Sequence, residues 1–266
     1  ETITDEELAG MGLAYADILD VDGHLVISKD LAAADRVTIV TYGGSGHEPA
    51  QAGYVGRGAL DIQAVGDIFA APSGQLVFEA LQRADKGHGV LLLTLNYAGD
   101  QLAGKQAMKL AKKAGMNVRQ VVTGEEIKYD PNGEDNKRGL AGAVPLYHVA
   151  AAAARAGKTL DEVAEIAQKY ADNMASVTVK VTDATHPQNG MSFGDLGETA
   201  MMEMLVLYKD TVEFLNAMGV EVVANMVGEI LTVQEAGGFQ MNIAKWDDET
   251  LALWNTPVHT PVFFKE

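Results

Sequence analysis

The chain has 266 residues, 47% of them hydrophobic and 21% charged, which is enough to bury a core in one large or two modest domains. Its net charge of −17 argues against binding nucleic acid or an anionic membrane through bulk electrostatics, and it suits a neutral ligand or a basic partner surface. The absence of cysteine excludes disulfides, thiolate nucleophiles and cysteine-based zinc sites.

Strands and helices alternate through the first two-thirds. "VTIVTY" (Val37–Tyr42) is a β-branched run ended by glycines, the pattern of a buried strand. "PSGQLVFEALQRADKG" predicts a helix capped by Ser73, with Leu76, Val77, Ala80, Leu81 and Ala84 on one apolar face. "VLLLTL" (Val90–Leu95) is a second buried strand. "AGKQAMKLAKKAG" is a helix with lysines near its end and Gly115 as its stop. "NVRQVVT" is a third strand. "GLAGAVPLYHVAAAAARAG" (Gly139–Gly157) is helical, with Pro145 in its first turns or at a kink. "TLDEVAEIAQKYADN" opens with Thr159 and Glu162 at capping-box spacing. A strand "SVTVKVT" (Ser176–Thr182), a polar stretch "DATHPQNGMSFGD", a long helix from Thr199 and two further strands complete the chain.

The repeated β-α order predicts an α/β protein of two domains, with largely parallel or mixed sheets flanked by helices. The division falls near Asn173, giving an N-terminal α/β domain over 1–173 that carries the ligand loops and a C-terminal α/β domain over 174–266. No stretch approaches the roughly 18 apolar residues of a membrane span, and no charged-then-apolar signal sequence opens the chain, so a cytoplasmic protein is expected.

Ligands of open α/β sheets bind at the carboxyl ends of strands. Two loops there carry reactive groups, Gly43-Gly44-Ser45-Gly46-His47-Glu48-Pro49 and Asn96-Tyr97-Ala98-Gly99-Asp100, with "GDIFAAPS" (Gly66–Ser73) between them. Glycine lets a ligand touch the backbone and offers free N–H donors, which suits phosphate and sugar oxygens equally. No G-x-x-x-x-G-K-[ST] or G-x-G-x-x-G spacing is present, and no lysine or arginine lies in the first loop. His47 and Asp100 instead offer a base and an acid, so the set fits a small polyol or sugar. The plainer alternatives are a tight strand–helix connection for the glycines and a helix cap for Asp100. His24, His88, His148 and His259 have no neighbours that suggest ligation; His186 sits in a polar loop and reads as solvated, with a functional role as the weaker alternative. Metal binding is not expected, because the histidines and carboxylates show no ligand spacing.

Together these loops resemble the ketose-binding (K) subunit or domain of the dihydroxyacetone kinase family. The family's G-G-G-S-G-H-E-P-A-x-A-G-[FY]-V-G is matched by "YGGSGHEPAQAGYVG" (Tyr42–Gly56), and its G-D-V-F-A-S-P-S by "GDIFAAPS". Its K-N-Y-T-G-D is matched by "LNYAGD", its R-G-[LV]-A-G by "RGLAG" (Arg138–Gly142), and its L-G-x-T-x-x-M-E-L by "LGETAMMEM" (Leu196–Met204). The resemblance runs over nearly the whole chain. It implies a phosphotransferase acting on a short ketose, typically dihydroxyacetone (glycerone), and usually a homodimer. ADP or ATP with magnesium would be held by a helical nucleotide-binding partner subunit, so that this chain carries no cofactor or metal. It implies substrate contacts from Gly43, Gly44, Ser45, His47 and Asp100, with Asp100 and His47 catalytic and Asp100 the general base on the attacking hydroxyl. The ending "TPVHTPVFFKE" resembles the end of this domain in the family, which implies a separate subunit.

Three departures bear on that reading. Leu95 replaces the lysine before N-Y-T-G-D, and an apolar side chain cannot donate to a ligand oxygen. Tyr42 replaces the first glycine of the loop and is expected to narrow the ligand space or add a hydroxyl contact. Kinase members also carry a G-x-G-x-H-G-E-P-G segment whose histidine captures the ketone carbon, and this sequence has none between Asp195 and Leu196. The expectation is that the protein possesses this segment and that Asp195 and Leu196 are not bonded neighbours; its loss from the protein is the rival. The leading reading is the ketose-binding subunit of a kinase. The alternatives are a non-catalytic, dihydroxyacetone-sensing coactivator of a transcription regulator and a kinase for a longer ketose such as erythrulose.

Overall fold

A computed structural model describes residues 3–126, 137–180, 186–187, 189–190 and 238–244. A six-stranded sheet forms its centre. The strands in chain order are β1 (Leu19–Asp22), β2 (Leu25–Ser28), β3 (Thr38–Ser45), β4 (Ile62–Ile68), β5 (Val90–Leu95) and β6 (Val118–Thr123). Their spatial order is β1-β2-β4-β3-β5-β6. The four strands β4-β3-β5-β6 run parallel, while β1 and β2 form an antiparallel edge that pairs onto β4.

The helices are α1 (Ile3–Ala14), α2 (Gly74–Ala84), α3 (Ala98–Lys113), α4 (Ala143–Arg155) and α5 (Leu160–Asp172). Helices α2 and α3 cover one face of the sheet, over Val40, Tyr42, Ile62, Ala64, Val90 and Leu92. Helices α4 and α5 cover the other, over Ile39, Leu91, Leu93 and Val121. Adjacent strand residues therefore point into different cores, which is why β3 and β5 read as unbroken apolar runs rather than as alternation. An Arg36–Asp61 pair fastens the amino end of β3 to that of β4; Asp61 is 1% exposed and also accepts the Ile39 amide.

The sequence-based elements hold with shifted ends. Ser73 caps α2 by accepting the Leu76 amide. Thr159 and Glu162 form the full capping box of α5, and Pro145 lies in the first turn of α4. Two ends differ with consequences for function. Strand β3 runs on to Ser45, so Gly43 and Gly44 are strand residues, paired with Val65 and Gly66, rather than loop. Helix α3 begins at Ala98, so Asp100 is already helical.

After α5, strand β7 (Met174–Lys180) starts with Met174 packed in the α4–α5 core. It pairs antiparallel with β8 (Gly238–Ala244). The long helix expected from Thr199, the junction at Asp195–Leu196 and most of the expected 174–266 domain lie outside the described residues.

Candidate functional site

Because β3, β4, β5 and β6 are parallel, the loops that follow them share one edge of the sheet. The chain leaving β3 folds toward the α4–α5 side, where Ala52, Tyr54, Val55 and Leu60 join that core. The chains leaving β4 and β5 turn into α2 and α3 on the opposite side. The connections thus part at β3, the kind of divergence that opens a ligand crevice in α/β sheets. Two open depressions elsewhere are lined by residues such as Lys29, Gln82, Asp85 and Gly87, on the side that precedes β5. Neither brings together the motifs of the loops.

The glycines of the first motif make room for neighbouring protein. A Cβ on Gly44 would stand 2.7 Å from the Ala70 amide nitrogen, so the chain after β4 lies against the end of β3. A Cβ on Gly43 would stand 3.3 Å from the Gln51 side-chain amide nitrogen. The Ser45 hydroxyl is buried against Thr4 of α1, 2.9 Å away. Gly46 turns with φ +89°, the region that favours glycine, beneath the Phe69 ring. Its amide donates to Glu48 Oε1 at 3.0 Å.

His47 follows that turn and opens to solvent. Even so, the protein packed around it disfavours the imidazolium and holds its pKa below the ordinary value, with the Glu48 charge opposing the shift. Glu48 also pairs with Glu7 of α1; burial first, then this carboxyl–carboxylate contact, raises Glu7 to about 7. Helix α1 therefore braces the glycine loop twice, through Thr4 and through Glu7.

Asp100 lies in the first turn of α3, whose N-cap is Tyr97 with no side-chain capping bond. Asp100 is not the cap. Its Oδ1 is buried and makes no hydrogen bond among the described residues. A helix N-terminus favours a carboxylate, yet burial dominates here and raises the pKa to about 7. The backbone of this turn is held from below. Tyr42 donates its one hydroxyl proton to the Asp100 carbonyl at 2.7 Å, and its oxygen accepts from the Thr94 hydroxyl at 3.1 Å. Tyr42 is fully buried in the α2–α3 core, so it neither narrows the ligand space nor offers a contact there, contrary to expectation. Strand alternation turns its ring to the helix side of β3.

Other expected positions resolve differently. Leu95 packs against the α4–α5 core at the end of β5. Asn96 accepts from Gln101 at 3.0 Å and donates to the Lys137 carbonyl at 2.7 Å, tying the second loop to the "RGLAG" segment. That segment is fastened to the end of β6, since Glu125 accepts the Leu140 and Gly142 amides and Arg138 pairs with Glu126. His186, read from sequence as solvated, is half-buried with its ring edge-on to Phe69, 5.9 Å between centroids. Phe69 also contacts the His47 ring at 4.9 Å. The sequence signal for His186 was a histidine in a polar stretch, with nothing local to tie it to residues more than a hundred positions earlier. Among the described residues, no cluster of three or more histidine, aspartate or glutamate side chains could hold a metal ion. No described helix is long and apolar enough to cross a membrane.

Comparison with known proteins places these features in context. The Dak1 domain family matches residues 9–198 and again 191–262. The chain is 29% identical to the dihydroxyacetone-binding subunit DhaK of PTS-dependent dihydroxyacetone kinase 1 from Listeria innocua, over 94% of this chain and 93% of that one. It is 27% identical to the dihydroxyacetone-binding subunit DhaK of the PEP-dependent dihydroxyacetone kinase from Escherichia coli, over 98% and 96%. Among solved structures it shares its fold, with a TM-score of 0.79 and 20% identity over 98% of both chains, with the dihydroxyacetone kinase operon co-activator Dha-DhaQ.

The two subunit alignments run over 306 and 342 residues, longer than the 266 of this chain. The two family segments overlap where Asp195 meets Leu196. In the full sequence these two residues are consecutive, so the expected extra segment is missing from the chain itself.

Proposed function

The chain belongs to the Dak1 domain family, and on that premise we propose that it binds dihydroxyacetone and presents it for phosphorylation as the acceptor subunit of a kinase. In this reading the phosphoryl donor, with its nucleotide and magnesium, is held by a partner subunit, and the chain acts as a homodimer.

The observation that carries the reading is Asp100, a buried carboxyl oxygen at the carboxyl edge of the sheet with no hydrogen-bond partner among the described residues. With a pKa near 7 it suits a base that takes the proton of the attacking hydroxyl at neutral pH. His47, kept toward its neutral form by its surroundings, supplies a hydrogen-bond partner for a sugar oxygen. Gly43 and Gly44 allow close approach of the backbone along the rim, while Ser45 fixes the loop through Thr4. Phosphoryl transfer asks mainly for positioning and charge stabilisation, so an acceptor held rigidly here meets a donor carried by the partner.

A second reading is favoured by the missing segment. In the resemblance set out above, that segment supplies the histidine that captures the ketone carbon, and this chain lacks it. A chain that binds the ketose without phosphorylating it would serve as a sensor. Leu95 in place of a lysine leaves a third, a longer ketose such as erythrulose. One assay separates them. The chain is combined with a nucleotide-binding subunit of a dihydroxyacetone kinase and its phosphoryl donor, and offered dihydroxyacetone and erythrulose in turn. Triose phosphate formation lost in Asp100→Asn supports the kinase. Faster turnover of erythrulose supports the third reading, and binding without turnover of either ketose supports the sensor.

A further inference from the structure

We propose that His186 is a ligand-contacting residue of the ketose site, where it and His47 both contact the Phe69 ring. The inference rests on the reading of these loops as a ketose site.

Phe69 follows β4 directly, and its amide donates to the Ser45 carbonyl at 2.9 Å, so its position is tied to the end of β3. Its φ is +56°, a conformation that a bulky side chain adopts at a cost. That conformation sets the ring over Gly46, where a Cβ would stand 2.9 Å from the ring. The ring then meets two imidazoles. His47 lies tilted at 55° with centroids 4.9 Å apart, and His186 lies edge-on at 75° and 5.9 Å. Phe69, half-buried, belongs to neither hydrophobic core, so packing of the sheet does not account for its position.

His186 is brought there from beyond β7, and a turn holds it, with the Gly190 amide donating to the His186 carbonyl at 2.8 Å. A hydroxy ketone offers one carbonyl acceptor and hydroxyl groups that donate and accept. A neutral imidazole offers one donor and one acceptor and can serve either. An aromatic wall with a few convergent polar groups is the usual make-up of a small-molecule site. His186 gives this wall a second polar group from a segment that the glycine loop does not supply.

The test is calorimetric titration of dihydroxyacetone into the full chain and three variants. His186→Phe keeps an aromatic edge against Phe69 and removes the hydrogen-bonding nitrogens. His186→Gln keeps a donor and an acceptor and removes the ring. His186→Ala removes both. The expected result is binding about tenfold weaker in the Phe and Ala variants, on the order of one hydrogen bond, with Gln within about threefold of the wild type. If the Phe variant melts early, the contrast between Ala and Gln carries the test. Wild-type affinity in the Phe variant, or equal loss in Ala and Gln, would overturn the inference and leave the ketose reading standing. No binding by the wild type would overturn both.

Discussion

Tyr42 of strand β3 donates its phenolic hydrogen bond to the backbone carbonyl of Asp100 in the first turn of α3, at 2.7 Å. A buried side chain thus holds the turn that presents the acid. Tyr42→Phe removes this bond and the one to Thr94, and leaves the ring in place. The expected cost is about 1 kcal/mol of stability. If Asp100 is the base proposed above, kcat with a partner subunit should fall while KM changes little, because the turn that aims it is released. Thermal melts and steady-state kinetics check both halves.

Tyr42 has a fitted counterpart in Gly104, one turn further along α3. A Cβ on Gly104 would overlap the Tyr42 hydroxyl. Gly104→Ala is therefore expected to destabilise the protein, although alanine is the better helix former. Removing the hydroxyl relieves the overlap, so Tyr42→Phe/Gly104→Ala should be less unstable than the sum of the single variants. A coupling of about 0.5–3 kcal/mol is expected for groups in contact. Denaturant unfolding of the four proteins measures it, and strict additivity would contradict the fit.

If Asp100 is the base proposed above, it sets the pH dependence of activity. A base with a pKa of about 7 is half ionised there, so kcat/KM should climb with pH through neutrality and level off above it. Asp100→Asn should lose the limb together with the activity. A pH–rate profile of wild type against variant reads this directly.

The same shift predicts a stability trade. Folding raises the Asp100 pKa from 3.8 to about 7, so the folded state binds the proton more tightly than the unfolded state. Stability from this group falls as pH rises through that window, and the full penalty applies above about 7. Asp100→Asn removes the penalty. The variant should melt above the wild type at pH 8 and close to it at pH 4, at roughly 2–4 °C per kcal/mol for a chain of this size. An equal offset at both pH values would mean that ionisation of Asp100 is not the cause.

The parts of this architecture visible in sequence were those written in local patterns. Val90–Leu95 could be read as a buried strand because both faces of a covered parallel strand are apolar. Ser73 and the Thr159–Glu162 box marked helix starts because capping is a local exchange of hydrogen bonds. The ends of β3 and α3 were misplaced for the converse reason. Gly43 and Gly44 look like loop, yet ladder bonds to β4 hold them in strand, and Gly44 leaves space that Ala70 fills. Asn96 to Asp100 look like loop until Tyr42 of β3 and the Lys137 carbonyl fix the turn from other parts of the chain. His47 and Asp100 were legible as types at the carboxyl ends of strands. The unsatisfied burial of Asp100, and the approach of His186 to Phe69, depend on packing between distant segments and carry no local signature.

The most direct test of the account is a crystal structure of the chain grown with dihydroxyacetone. Ligand density is expected at the carboxyl edge of β3 and β5, with a hydroxyl within hydrogen-bond reach of Asp100 and an oxygen on His47. Density bound elsewhere, or an empty site at a saturating concentration of ligand, would contradict it.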